Sequence, residues 1–137
     1  PYTYYGGMKA HRSLVHEGPF DEALYTSKDE ILEGTTFSFF IVKNESVITP
    51  KLDGRILGSV TRKNLLRIMD AQNIQHSESI ISIEDLKSSS EAFISSANRD
   101  LIPVVSVSGS KIGDGKIGPV YKKLMSLYQQ ELLKINI

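Results

Sequence analysis

Runs of apolar and β-branched residues in the middle of the chain predict a set of strands. The strongest run covers residues 37–42 (Phe-Ser-Phe-Phe-Ile-Val) and is followed, after Lys43-Asn44-Glu45, by a shorter run at residues 46–49. So short a polar separation predicts a β-hairpin. Further strands are predicted at residues 21–26, 30–33, 79–83, 92–95 and 101–107.

Two segments instead carry apolar residues at helical spacing. Residues 61–71 place their apolar side chains on one face and most of their charged side chains opposite, and residues 120–133 carry a similar stripe. A short helix is also predicted at residues 8–17 and a helical turn at residues 83–86. We interpret both stripes as core packing. Strands in the middle with helices around them predict a mixed fold, α/β or α+β.

The composition is that of a single compact domain and excludes several classes of function. The chain has 137 residues, of which 40% are hydrophobic, 16 are Lys or Arg and 16 are Asp or Glu. The resulting net charge of zero argues against a nucleic-acid partner, because phosphate-backbone binding needs an excess of cationic side chains. No run approaches the roughly 20 apolar residues of a membrane span, so no membrane partner is expected. The absence of cysteine excludes disulfides and thiol nucleophiles within these residues, and is compatible with a reducing, cytoplasmic location.

Other common chemistries lack the spacing that they require. His11 and His16 are five residues apart, which places them on different faces of a helix, so no metal site is predicted. The glycine-rich segment 109–118 differs from a phosphate-binding P-loop in its glycine spacing, and Ile117 stands where a magnesium-ligating hydroxyl is needed. The serines at residues 88–90, 95 and 96 lack the Gly-x-Ser-x-Gly context of a hydrolase nucleophile.

Three segments do carry candidate chemistry. The first is Glu33, an acid beside a glycine at the mouth of a predicted buried strand, which is costly there unless it is exposed or paired. It is either an exposed turn residue or a carboxylate directed at a cationic ring nitrogen.

The second segment is the Gly-Ser-Val-Thr run at residues 58–61, at the start of a predicted helix. Backbone N–H groups at a helix start have no acceptor within the helix, so this run is suited to bind a phosphate monoester. Ser59 or Thr61 could equally serve only as the helix N-cap. The third segment is the turn of small residues at 95–98, which either approaches a ligand closely or is simply a tight loop.

Together these segments resemble the class IV (fold type IV) pyridoxal-phosphate enzymes, which include branched-chain and D-amino-acid aminotransferases and aminodeoxychorismate lyase. The resemblance extends over nearly the whole chain. It rests on ordered pieces at residues 33–35, 40–42, 48–50, 56–62, 91–96, 102–104 and 112–119. It implies the C-terminal large domain of the D-amino-acid aminotransferase-like fold, in which strands form a barrel-like core with surrounding helices.

The resemblance also assigns roles to individual residues around pyridoxal 5'-phosphate. Glu33 pairs with the pyridinium nitrogen, and Leu57 packs against the ring face. The phosphate is bound at a helix start and at a second loop. The residues that the resemblance places at these two phosphate sites, together with a tyrosine near the cofactor, are Ser59, Val60, Thr61, Ala97, Asn98 and Tyr5.

Four positions depart from residues common in the family. Ser38 stands where asparagine is frequent, and Ser59 where glycine is frequent. Ala97 lacks the hydroxyl of the usual threonine, so only backbone donors remain there; the lyases vary at this position too, which leaves transaminase and lyase open. Tyr121 replaces a common threonine, with no consequence evident from the sequence.

The Schiff-base lysine of the family is expected just before Pro1, so no catalytic residue is assigned within the chain. We therefore expect residues 1–137 to form one domain, with the N-terminal small domain and the catalytic lysine absent and the fragment inactive alone. The parent is expected to be a homodimer that transfers an amino group between an amino acid and a 2-oxo acid. The alternatives are a lyase domain or a non-catalytic module that binds a ligand or a partner.

Overall fold

The computed structural model describes residues 22–34, 37–56, 58–96 and 100–135. These residues form strands and three helices in mixed order. The helices are α1 (Val60–Ala71), α2 (Ile83–Lys87) and α3 (Pro119–Ile135). The strands are β1 (Leu24–Ser27), β2 (Glu30–Gly34), β3 (Ser38–Lys43), β4 (Ser46–Thr49), β5 (His76–Glu78), β6 (Ile81–Ser82), β7 (Glu91–Ser96), β8 (Asp100–Val104), β9 (Ser106–Val107) and β10 (Ser110–Lys111).

Eight of the strands form one mainly antiparallel sheet with β3 at its centre. Strand β3 pairs with β4 and β7 and, through the single pair Glu33–Ser38, with β2. Strand β7 pairs in turn with β8, and β2 with β1 and β6. The pair β4–β5 is parallel and is connected through α1, as a parallel pair requires a crossover. The mixed α/β class is thus confirmed.

The described strands do not close into a barrel. Within the residues that the structure describes, β5 pairs only with β4, and β8 pairs only with β7. The sheet is therefore open between these strands, and the barrel-like core expected from the resemblance is not confirmed.

Strand β3 is buried on both faces of the sheet, which explains its almost continuous apolar sequence. Phe40 and Val42 face α1 and α3, whereas Phe39 and Ile41 pack in a second cluster on the other face. The Phe40 and Phe93 rings stack with centroids 4.9 Å apart. Each fully buried aromatic side chain of this kind contributes roughly 2–3 kcal/mol by leaving water.

Most predicted elements are confirmed, with boundaries that differ by at most three residues. The run predicted at 101–107 divides into β8 and β9, because β9 forms a separate hairpin with β10. Ser108 and Gly109 form its turn with positive φ angles of 51° and 82°, as in type I′ hairpins. The strand predicted at 79–83 shortens to β6, since Ser82 caps α2 in a capping box with Asp85. The helix predicted at 8–17 lies outside the described residues.

Glu91 caps the start of α3 from a different element of the fold. It is buried at the start of β7, and its two carboxylate oxygens accept from the backbone N–H groups of Val120 at 3.1 Å and Tyr121 at 2.9 Å. A Cβ atom at Gly118 would lie 2.1 Å from the Glu91 carboxyl carbon, so any larger residue there would displace this carboxylate. The negative charge also lies at the positive end of the helix dipole.

We expect Glu91→Gln to lower the free energy of unfolding by about 1–2 kcal/mol, because an amide has one acceptor oxygen for two N–H groups and carries no charge. Urea denaturation measures the loss. Glu131→Gln, on the exposed part of α3, is the matched control and should be nearly neutral. Equal stability of both variants would contradict the assigned capping role.

The ion pair between Lys43 and Asp85 makes the stability of the fold depend on acid pH. The Lys43 ammonium donates to Asp85 at 2.8 Å, and with the Ser82 N–H it lowers the pKa of Asp85 from 3.8 to about 2. Because the folded pKa is depressed, this stabilisation is present above pH 3.8 and is lost as the pH falls through about 2. We expect Asp85→Asn to cost less than about 1 kcal/mol at pH 7, since both partners are partly exposed. The cost should vanish near pH 2 in denaturation curves, and a cost independent of pH would contradict this assignment.

Candidate functional site

The first and third candidate segments meet at one end of the sheet. Glu33, near the end of β2, is directly opposite Ser38 at the start of β3, and Ser38 is opposite Ser95 near the end of β7. Directly opposite residues point to the same face of a sheet. Glu33, Ser38 and Ser95 thus form a row of polar side chains on one face, in line with Leu101 of β8.

The second candidate segment, the start of α1, contacts the middle of this row. Ser38 Oγ lies 3.4 Å from Ser59 Oγ, immediately before the helix. Ser59 has extended backbone angles, and its Oγ accepts the Arg62 N–H at 3.0 Å, so Ser59 and not Thr61 is the N-cap. The Lys63 N–H is bonded to the Ser59 carbonyl. This leaves the N–H groups of Val60 and Thr61 without an acceptor within the helix.

The environment of the helix start suits an anion. Val60 is 75% exposed, whereas Thr61 is buried. The two N–H groups therefore lie at the boundary between solvent and core, where the positive end of the helix dipole is only partly screened. Capping by Ser59 and binding of an anion are compatible. Ser59 Oγ accepts the N–H of Arg62, and this contact does not use the hydroxyl proton, which can be donated to an anion.

Glu33 lies in a half-buried environment beside β1. Burial raises the pKa of Tyr25, and the negative charge of Glu33 raises that pKa further. The Glu33 carboxylate is therefore close enough to β1 to act electrostatically on Tyr25. Tyr25 was not a candidate in the sequence, since only the strand register, with its irregularity between Leu24 and Thr26, brings it near Glu33.

Gly34 allows the turn after Glu33 to close. Its N–H donates to the Phe37 carbonyl at 3.0 Å, and a Cβ atom at position 34 would lie 1.8 Å from the Phe37 ring. Phe37 is itself buried in the second core cluster. No other residue therefore fits here without moving the ring.

We expect Gly34→Ala to lower stability by about 1–3 kcal/mol, the usual cost of overpacking a core. Because Glu33 is the preceding residue, displacement of this turn should also move its carboxylate. Thermal denaturation and the near-ultraviolet dichroism of the buried aromatic rings would report both effects. Gly54→Ala is the comparison for glycine loss in an open loop, because nothing lies within 4 Å of the added methyl there, although its φ of 94° adds strain. A wild-type dichroism spectrum for Gly34→Ala would contradict the expected displacement.

A buried arginine anchors α1 to the sheet. Arg62 is 3% exposed; its Nη2 donates to the Pro50 carbonyl at 2.9 Å and to the Glu78 carboxylate at 2.7 Å. Its Nε is buried and has no hydrogen-bond partner among the described residues. Arg62 thus joins the helix start to the end of β4 and to β5. In the sequence, Arg62 belongs to the segment 56–62 that resembles the family, but no role was predicted for it.

The loop that leads into α1 is held by a second arginine. Arg55 Nη2 contacts Asp53 Oδ2 at 2.6 Å and Glu30 Oε2 at 2.5 Å. Hydrogen bonds from Arg55 lower the pKa of Asp53 from 3.8 to about 2. The contact with Glu30 connects this loop to β2, the strand that carries Glu33.

Of the predicted site residues, the structure describes four: Glu33, Ser59, Val60 and Thr61. The others, Leu57, Ala97, Asn98 and Tyr5, lie outside the described residues. Ser38 was not predicted as a site residue, and Ser95 was predicted only as part of the turn at 95–98 that could approach a ligand. A serine within an apolar strand was a further signal for both. Ser95 is fully buried, and its hydroxyl has no hydrogen-bond partner in the described part of the chain.

Residues 22–34, 37–56, 58–96 and 100–135 contain neither a candidate metal site nor a candidate membrane-spanning helix. No group of three or more His, Asp or Glu side chains there is arranged to hold a metal ion. None of the helices in these ranges has both the length and the apolar character needed to cross a membrane.

Comparison with known proteins shows the family to which the chain belongs. The sequence matches the family Amino-transferase class IV over residues 2–107. D-alanine aminotransferase from Staphylococcus haemolyticus is 31% identical over 103 residues, which cover 75% of this chain and 36% of the relative.

Solved structures share the fold. Branched-chain amino acid aminotransferase from Escherichia coli superposes with a TM-score of 0.84 at 27% identity, covering 90% of this chain and 42% of that protein. An aminotransferase from Brucella abortus, bound to its cofactor PLP, superposes with a TM-score of 0.83 at 24% identity over 93% and 44%. The chain spans less than half the length of the proteins that it matches. On the extent of the family match, this chain belongs to the class IV aminotransferases.

Proposed function

We propose that this chain is the pyridoxal 5'-phosphate-binding part of an amino-acid aminotransferase of the D-amino-acid or branched-chain type. The full protein would transfer an amino group between an amino acid and a 2-oxo acid. The observation that carries the proposal is the convergence of Glu33, the N-terminus of α1 and the end of β7 at one end of the sheet.

The donors and acceptors at this end of the sheet fit the two charged parts of such a cofactor. The N–H groups of Val60 and Thr61 and the Ser59 hydroxyl would bind the phosphate, because together they offer hydrogen bonds and the positive end of a helix dipole. The buried hydroxyl of Ser95 supplies a polar group on the same face that the apolar core does not use. When bound, the cofactor supplies an electron-withdrawing ring. Glu33 would hold a proton on the ring nitrogen, since a carboxylate favours the cationic form of its partner.

The remaining assignments rest on the resemblance. Leu57 would pack on the ring face, Ala97 and Asn98 would form the second phosphate loop, and Tyr5 would lie near the cofactor. The covalently linked lysine and the small domain would belong to residues before Pro1. We further propose a homodimer in the cytoplasm, as expected for the family.

Reconstitution of the full-length protein tests the proposal. The apoprotein is titrated with pyridoxal 5'-phosphate and the absorbance of the bound cofactor is recorded. We expect saturable binding in the wild type and at least about tenfold weaker binding for Val60→Pro. This substitution removes one backbone N–H group, and Val60 is the first residue of the helix, a position at which proline is tolerated. Wild-type protein that binds no cofactor would contradict the proposal.

A 2-oxo acid acceptor assay then separates the reaction classes. Amino-group transfer from a D-amino acid or a branched-chain amino acid to a 2-oxo acid is the expected result. Release of product without an acceptor would identify the lyase branch. Cofactor binding without turnover in the full-length protein would identify a non-catalytic module.

A further inference from the structure

The Ser59 hydroxyl has two neighbours, and only one of them has a fixed role. The Arg62 N–H can only donate, so Ser59 Oγ is the acceptor in their 3.0 Å contact. Ser38 Oγ, at 3.4 Å, can either donate to Ser59 or accept from it. The direction of this second contact decides whether the Ser59 proton is available to a third group.

An anion at the start of α1 would select one direction. The ionised oxygens of a phosphate accept hydrogen bonds, so the Ser59 proton would point toward them and not toward Ser38. Ser38 could then donate to the second lone pair of Ser59 Oγ. The result is a chain of donors from Ser38 to Ser59 to the anion, in which each hydrogen bond strengthens the next.

We propose that Ser59 donates its proton to a phosphate group at the start of α1, and that Ser38 is a positioning residue that directs this proton. The inference rests on the proposed function, which brings the cofactor phosphate to this place. Ser38 contacts the hydroxyl of Ser59 at 3.4 Å, so it would act on the ligand through Ser59.

The second serine of the row, Ser95, supports a ligand-binding role for these hydroxyls. Ser95 is fully buried directly opposite Ser38, and its Oγ has no hydrogen-bond partner among the residues described. A buried hydroxyl without a partner destabilises a fold. Alanine would pack at least as well here if the site served the core alone. Polar groups at this end of the sheet are therefore best explained by a ligand at the helix start.

A double-mutant cycle on the full-length protein tests this inference. Dissociation constants for inorganic phosphate and for pyridoxal 5'-phosphate are measured by calorimetry on the apoprotein of wild type, Ser38→Ala, Ser59→Gly and the double variant. Glycine is chosen at position 59 because it is nearly as good an N-cap as serine, so the helix is retained. Ser82→Ala, which removes the cap of α2, is the control for loss of a helix cap away from the site.

We expect Ser59→Gly to weaken phosphate binding about fivefold to tenfold, and Ser38→Ala about threefold. In the Ser59→Gly background, Ser38→Ala should have no further effect, because Ser38 acts through Ser59. Ser38→Thr should retain most of the affinity, and Ser82→Ala all of it. Equal losses from Ser38→Ala in both backgrounds, or no loss in either, would overturn the inference.

The same data separate this inference from the proposed function. If the wild type binds pyridoxal 5'-phosphate and only the serine variants behave otherwise than expected, the positioning role fails and the cofactor site stands. If the wild type binds neither phosphate nor the cofactor, both fail.

Discussion

We expect Glu33→Gln to lower the transamination rate constant of the full-length protein at least about 100-fold, which corresponds to roughly 2.7 kcal/mol in the barrier. Glutamine has nearly the same shape but no charge, so it cannot favour the protonated ring nitrogen. The half-buried position of Glu33, close enough to affect the pKa of Tyr25, makes the charge more effective than it would be in water. Rates under single-turnover conditions measure the effect without product release.

Two variants sharpen this test. Glu33→Asp keeps the charge on a shorter side chain and should retain an intermediate rate. Glu30→Gln, on the same strand but bonded to Arg55 outside the row of site residues, removes an equal charge and should retain most of the activity. Rates for Glu33→Gln within threefold of the wild type would contradict the role of the carboxylate.

Arg62→Ala should have the largest effect on stability, a loss of about 3–5 kcal/mol in the free energy of unfolding. The substitution leaves a cavity below α1 and removes the donor to the buried Pro50 carbonyl. Arg62→Lys should recover only part of the loss, because an ammonium lacks the planar fork that reaches both acceptors. Urea denaturation at pH 7 measures all three proteins.

The controls distinguish burial from charge. Arg67→Ala removes an arginine from the exposed face of the same helix and should change stability by less than about 0.5 kcal/mol. Glu78→Gln should cost about 1–3 kcal/mol, less than Arg62→Ala, because it keeps the arginine in place but removes the charge that compensates its buried guanidinium. An Arg62→Ala variant as stable as Arg67→Ala would contradict the assigned anchor.

Local patterns predicted the elements with strong periodicity. The β3–β4 hairpin and α1 were predicted with nearly their observed bounds, because apolar runs and a helical stripe report burial directly. Strand β5 was missed. Its sequence, His-Ser-Glu, is polar and mostly exposed, and it is a strand only because β4 offers it a parallel partner.

The candidate site shows the same division. Glu33 and the start of α1 were found from the sequence, since an acid beside a buried strand and a Gly-Ser-Val-Thr helix start are unusual in themselves. Their proximity to each other could not be predicted, because it depends on the strand register, which pairs Glu33 with Ser38 and Ser38 with Ser95. Ser38 and Ser59, noted in the sequence as two separate departures from the family, contact each other in the structure.

The sequence by itself determined the mixed class, most strands and helices, and the family. It also determined two parts of the candidate site, Glu33 and the start of α1. All of these depend on neighbouring residues. Only the tertiary structure decided that the sheet stays open among the described strands and that Ser59 is the helix cap. It also decided that Arg62 connects α1 to β5 and that Glu91 caps α3. Their partners are separated from them by between 12 and 30 positions in the chain. Contacts at that distance leave no periodic trace in the sequence, since they depend on how the elements pack and not on what precedes or follows each residue.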